Sequence, residues 1–418
     1  MLTHPELISV LQPQRIMNRC EALGRLSELE GGLTRVFLSA EQRQANELVL
    51  GWMREAGMTA ALDAIGNCVG RYEGERPGAP CLMLGSHLDT VRDAGKYDGM
   101  LGVIAAIECV SALNATGTQL PFAIEVVGFG DEEGVRFGST LLGSRAVAGT
   151  FDVAVLDQLD ANGVTMRGAL LEFGLDPAQI ANVARRPKDV LAYAELHIEQ
   201  GPVLEAEGLA TGVVTAINGG NRFNFELTGM AGHAGTVPMA LRRDALAAAS
   251  ECVLAIERIA TALPDIVGTV GRLEALPGAM NVIPGKVHFS LDVRAPTDEQ
   301  RHAAVAALRS ACEAIAERRG IEISVTPLWE AKTALCDPAL QAQWATAIAE
   351  EGGRVRHLPS GAGHDGMALI SIAPIGMIFV RCKDGVSHNP AEAVTVDDVA
   401  AGARAFLRFI AAFKPPRG

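Results

Sequence analysis

The chain has 418 residues, 49% of them hydrophobic, 20% charged and 5% aromatic, and carries a net charge of −13. That length exceeds what one core usually organises, so two or three domains are expected and long disordered stretches are not. The acidic surplus argues against nucleic acid or an anionic membrane surface as a partner, because both need clustered Lys and Arg, and leaves a small molecule as the expected one.

The opening Met-Leu-Thr-His-Pro-Glu-Leu puts Glu6 where a secretory leader needs a basic start and an apolar run, so no targeting signal is read there. The longest apolar stretch, 100–113, contains Glu108 and falls short of the roughly 20 residues of a spanning helix. Eight scattered cysteines form no Cys-x-x-Cys pair, and several lie in apolar runs. They read as buried free thiols of a cytoplasmic protein.

In chain order, 81–86 and 121–130 are short apolar runs closed by Gly or Ser, the pattern of buried strands. Between them 100–113 has the length and the Ala, Ile and Leu content of a buried helix, ended by Asn114 and Gly117. Strand, helix, strand predicts an α/β fold with a mostly parallel sheet, whose ligands gather at the carboxyl ends of the strands. From 216 to 328 the texture changes. A strand at 224–228, a helix at 242–263, two alternating strands in 268–295 around Pro277-Gly278, a helix at 298–319 and a strand at 321–327 follow one another. That β-α-β-β-α-β order predicts a ferredoxin-like α+β domain at 216–328, inserted into a discontinuous first domain of 1–215 and 329–418.

Residues with chemical capability follow the predicted strands of the first domain. His87 and Asp89 close the first strand on one side, where a carboxylate can fix a metal-binding imidazole. Asp98 follows within Gly95-Lys-Tyr-Asp98-Gly99, and Asp131-Glu132-Glu133 follows the second strand. Three adjacent carboxylates repel one another unless a cation neutralises at least one. His197 and Gln200 lie on a strand-like stretch before the insertion, and Ser387-His388-Asn389-Pro390 follows the apolar run 375–380. Each motif alone is common on solvated loops, whereas imidazoles and carboxylates together suit zinc, manganese or cobalt better than magnesium or calcium. Within the insertion, Lys286, His288, Ser290, Asp292 and Arg294 share one face of a strand, which leaves Arg294 available to grip a carboxylate.

Taken jointly, Gly85-Ser-His-Leu-Asp-Thr90, Asp131-Glu-Glu-Gly134, His197-Ile-Glu-Gln-Gly201, Gly232-His-Ala-Gly235 and Ser387-His-Asn-Pro390 resemble the M20 metallopeptidase clan and, within it, the hydantoinase/carbamoylase amidohydrolases. The resemblance spans about 30–410. It implies a metal-binding catalytic domain and an inserted lid and dimerisation domain, with two divalent ions per subunit (Zn or Mn, or else Co or Ni). It also implies cleavage of a C–N bond in a small ureido or carbamoyl acid. Carried over residue by residue, His87, Asp98 and His197 would hold one ion and Asp98, Glu133 and His388 the other. Glu132 would be the general base and Asp89 the support of His87. Gln200, Asn281, Arg294, Gly363 and His364 would contact substrate, and His233 would enter the site of a partner in a homodimer. Gly366 stands where the family more often has Ala. The run Gly95–Gly99 looks closest to the allantoate branch, followed by N-carbamoyl-L-amino-acid hydrolase and β-ureidopropionase, then ureidoglycolate amidohydrolase and peptidases. His4, His288, His302 and His357 match no functional position.

Three other classes fare worse. Gly361-x-Gly363-x-x-Gly366 matches a dinucleotide fingerprint but lacks the apolar strand before it and the long helix after it. No Gly-x-Ser-x-Gly elbow supports a serine hydrolase. A catalytically dead binding protein of the same fold is disfavoured by the retention of all five ligands and Glu132.

Overall fold

Two apolar runs that end in chemically active residues become neighbouring strands of one sheet. In the computed structural model, which describes residues 4–416, Cys81–His87 and Ala123–Phe129 are buried along their whole length and pair in parallel. Val190–Ile198 joins Cys81–His87 in parallel, and Ile375–Val380 joins Val190–Ile198 in parallel. These four form the centre of the sheet. Antiparallel strands flank them, with Cys68–Tyr72 and then Thr59–Leu62 on one side and Thr211–Ile217 on the other. Since the central four run the same way, their carboxyl ends share one edge, and the segments that follow are delivered there.

Helix Met100–Ala115 is buried nearly all round, as its even apolar composition requires. It packs on the central strands and under helices Pro13–Gly24 and Val396–Ala412. Arg15 reaches its one acid, Glu108, with Nε 2.7 Å from the carboxylate, so the buried charge is paired. Trp344 of helix Pro338–Glu350 stacks on Phe409 at 3.9 Å. All eight cysteines are free and buried. No helix among the described residues is long and apolar enough to cross a membrane.

The chain divides into two compact units. One runs to Thr215 and resumes over Cys336–Leu358 and from Ala362 onward, and the other comprises Ala216–Leu335 and Pro359–Gly361. In the second unit the antiparallel order is Leu273–Leu276, Lys286–Ala295, Gly219–Thr228, Glu322–Ala331, with Val267–Thr269 also paired to Lys286–Ala295. Phe223, Phe225, Leu227, Val287, Phe289, Leu291 and Val293 form its buried face, covered by helices Ala245–Ala262 and Asp298–Arg319. The unit extends past 328 because Glu322–Ala331 pairs along its length with Gly219–Thr228. The first helix starts at Ala245 and not at 242, since Asp244 caps it by accepting from the Leu246 and Ala247 amides. Strand Gly219–Thr228 begins five residues before 224, across Gly219-Gly-Asn-Arg222, where glycine and polar residues give no strand signal.

Candidate metal centre

Asp98 sits at the middle of a convergence of ligand-type side chains, all in the first unit. Its Oδ1 lies 3.4 Å from His87 Nε2 and 3.1 Å from His197 Nε2. Its Oδ2 lies 3.1 Å from His388 Nε2, which is also 3.2 Å from Glu133 Oε1. These residues form three-membered groups able to hold a cation: His87, Asp98 and His197, then Asp98, Glu133 and His388, with a further group of His87, Glu132 and Glu133. The sheet explains the meeting. His87 ends one central strand and His197 lies one residue before the end of its neighbour, while the acidic run and the His388 loop follow the other two.

The hydrogen bonds around the imidazoles decide what they can do. His87 Nδ1 faces the Asp89 carbonyl at 3.0 Å and His197 Nδ1 faces the Ile198 carbonyl at 2.8 Å. A carbonyl only accepts, so both Nδ1 atoms carry the proton in the neutral ring and Nε2 presents its lone pair. The Gly99 amide donates to His197 Nε2 at 3.2 Å, in keeping with that tautomer. Both lone pairs then confront Asp98 Oδ1, a buried oxygen without a hydrogen-bond partner. Acceptors face an acceptor, and a cation or imidazolium protons must resolve the conflict. Burial opposes the charge, yet the Asp98 carboxylate holds His87 and His197 above the usual imidazole range. Asp98 and then Glu133 push His388 up to about 10. Burial alone would raise Asp98, but its three histidines hold it well below the carboxylate range. The donor set, two or three imidazoles with shared carboxylate oxygens, fits a divalent transition ion.

Local backbone serves this arrangement. Gly99 has φ 69°, and a Cβ there would meet the His87 ring at 2.6 Å, so only glycine lets helix Met100–Ala115 start beside His87. Asp131, Gln200 and His388 adopt left-handed φ of 55–57° without being glycine. Such strained conformations persist where the surroundings over-determine them, often at sites. Asp89 spends its carboxylate on the backbone amides of Glu132 and Glu133, at 3.0 and 3.1 Å. Its carboxylate is 3.7 Å from His87 Nδ1, and it is the Asp89 carbonyl that orients the ring. Glu132 is buried, and burial first, then Glu133 among its acidic neighbours, holds its carboxyl well above the usual range. Exposed Gly363 lies beside it, since a Cβ there would be 3.5 Å from Glu132 Oε1.

The remaining candidates divide. Gln200 belongs to the centre, donating from Nε2 to Asp98 Oδ2 at 3.0 Å and to Ser387 Oγ at 3.1 Å. His364, expected to contact substrate, is buried edge-on to His197, ring centres 4.5 Å apart. In the second unit, exposed His233 lies on the two-stranded ribbon Gly232–His233 and Val282–Ile283, and exposed Asn281 directly precedes its second strand, where the Ala234 amide donates to the Asn281 carbonyl at 3.0 Å. Arg294 occupies the polar strand face as expected. Part of its fork is already committed: Nε and Nη2 donate to Asp292 at 3.0 and 3.3 Å, and Nη1 donates to the Gly361 carbonyl at 2.8 Å.

Sequence reasoning missed Glu195 and Glu392. Glu195 is buried behind His197 and accepts from Ser86 Oγ at 2.7 Å and Tyr193 Oη at 2.9 Å. A lone acid inside the apolar run 190–198 was its signal. Glu392 follows the Ser387-His-Asn-Pro390 motif by two residues, and nothing in the local sequence marks it.

Residues 83–412 match the family described as Peptidase family M20/M25/M40. The chain belongs to that family. As an M20 member it is a hydrolase acting on carbon–nitrogen bonds. It is 45% identical to an N-carbamoyl-L-amino acid amidohydrolase of Geobacillus stearothermophilus, over 94% of this chain and 97% of that one. It is 38% identical to allantoate deiminase of Arabidopsis thaliana, over 98% and 84%. The crystal structure of a hydantoinase/carbamoylase family amidase from Burkholderia multivorans matches with a TM-score of 0.91 and 35% identity, covering 98% of this M20 chain and all of that one.

Proposed function

We propose that this chain hydrolyses a C–N bond at the ureido carbonyl of a small carbamoyl or ureido acid, with two divalent ions that His87, Asp98 and His197, and Asp98, Glu133 and His388, would hold. The observation that carries the reading is Asp98 itself, a buried carboxylate facing two imidazole lone pairs through Oδ1 and His388 and Gln200 through Oδ2. Bound ions would polarise the carbonyl and acidify water. Glu132 does the proton work. In its carboxylate form it accepts a proton from the attacking water, and as the carboxylic acid it returns that proton to the departing nitrogen. Gly363 leaves room beside it for the scissile group, and His364 steadies His197. Gln200, Asn281 and Arg294 position the polar end and carboxylate of the substrate. Asp292 holds Arg294 in one orientation, so only part of its fork is left for substrate.

We infer further that the second unit is an inserted lid and the seat of a homodimer in which His233 completes the neighbour's site and stabilises the oxyanion. Met230, Met239, Leu241 and Met280, all well exposed, lie along the segments that lead into and out of the ribbon of His233 and Asn281. Apolar side chains gathered there suit a protein interface. Within the substrate class, 45% identity favours an N-carbamoyl-L-amino acid, and the Gly95–Gly99 run favours allantoate.

The test is metal analysis joined to a substrate panel. Protein loaded with manganese, zinc or cobalt should contain two ions per subunit and release ammonia from N-carbamoyl-L-amino acids or allantoate. A fully active protein with one ion per subunit would overturn the two-ion reading. Activity confined to peptides would overturn the ureido reading.

A further inference from the structure

Glu392 lies 294 residues beyond Asp98 and is 5% exposed. Its Oε1 accepts from the Tyr97 amide at 2.8 Å and from the Asp98 amide at 3.1 Å. Its Oε2 is 2.9 Å from Ser387 Oγ, which is also 3.2 Å from Asp98 Oδ2. A Cβ at Gly95 would fall 2.2 Å from the Glu392 side chain, so the loop before Asp98 is shaped around this carboxylate. Neither Asp98 nor His388 belongs to a strand, and both ride on loops. The Asp98 loop needs an external partner for its amides, and the His388 loop adopts a strained backbone.

From this we infer that Glu392 is a positioning residue: a buried clasp that ties the Asp98 loop to the Ser387-His388 loop and sets the spacing of the cation position those two ligands share with Glu133. The inference rests on the two-ion reading above. One carboxylate oxygen satisfies two backbone amides of the first loop, and the other engages the side chain adjoining the ligand of the second loop. Ser387 has one proton for two acceptors, Asp98 Oδ2 and Glu392 Oε2. Glutamine preserves the clasp, because its amide oxygen accepts from both backbone amides. Its N–H donates to Ser387 Oγ, which then gives its proton to Asp98. Alanine removes the clasp.

The test is metal titration of the full chain, with manganese followed by its paramagnetic signal and zinc followed against a chromogenic chelator. Melting of the metal-free protein is measured in parallel. Glu392→Ala should lower the affinity of one of the two ions by about 10–100-fold, the usual effect of losing a group that orients ligands, while the other ion is held nearly as before. Its metal-free melting temperature should fall, because the Tyr97 and Asp98 amides lose their acceptor, so affinities are compared well below the melting point of each variant, where loss confined to one ion separates positioning from a merely structural role. Glu392→Gln should bind both ions like wild type. Should Glu392→Ala not fold, Glu392→Asp, one methylene short of spanning both loops, should show the same selective loss. Wild-type binding of both ions by Glu392→Ala, or an equal loss in Glu392→Gln, overturns the clasp with the two-ion reading intact. A wild-type chain that takes up fewer than two ions overturns the two-ion reading and the clasp with it.

Discussion

Glu132 and Glu133 are adjacent in sequence and differ in every respect that matters for chemistry. Glu133 is half-buried and meets His388 Nε2 at 3.2 Å, within the group proposed to hold the second ion. Glu132 is buried, its amide is fixed by Asp89, and burial raises its carboxyl above the usual range, the setting of a group placed to exchange a proton. Glu132→Gln should therefore leave fold and metal content unchanged while turnover falls by about 10²–10⁴, the usual share of general acid–base catalysis. Steady-state kinetics on metal-quantified protein checks this, and near-normal turnover with both ions bound would remove Glu132 from the mechanism.

At the scale of elements, the site depends on where helices and strands stop. Gly99 starts a helix beside His87, and parallel strands end in a common edge. The second unit is stapled by the cap of Asp244, whose Oδ1 accepts from Leu246 N at 3.0 Å and Ala247 N at 3.1 Å. Asp244→Ala should cost about 1 kcal/mol. Chemical denaturation followed within the second unit checks it, and an unchanged midpoint would mean that the cap contributes nothing. The strand Lys286–Ala295 shows how clearly some elements were written. Its alternation of polar and apolar side chains is the burial pattern observed, residue for residue. Helix Val396–Ala412 and the hairpin Thr59–Leu62 with Cys68–Tyr72 were not anticipated. The hairpin strands are short, and no motif drew attention to either segment.

For the whole molecule, the proposed exchange of His233 between subunits makes a prediction that neither single subunit can mimic. Glu132→Gln and His233→Ala chains should each be inactive. Mixed with subunit exchange, they should recover roughly a quarter of wild-type activity at equal amounts, because half the dimers carry one site with both residues intact. Mixing followed by activity and mass measurement of heterodimers checks it. Verified heterodimers without activity would rule out a shared site.

Only the joint resemblance to the M20 clan made ligands of motifs that are each common on solvated loops, but the chemically capable side chains after the apolar runs were themselves legible in the sequence. The same holds for the parallel centre of the sheet and the β-α-β-β-α-β order, which follow from period and run length. Only the tertiary structure decided how those residues serve one another. It turned Asp89 toward two backbone amides, buried His364 behind His197, tied Arg294 to Asp292, and brought Glu392 across 294 residues to the Asp98 loop. The reason is physical. Periodicity records which way a side chain faces, in or out, and a motif records its chemistry. Which hydrogen-bond partner it meets depends on distances between segments remote in sequence, and local pattern carries no trace of those.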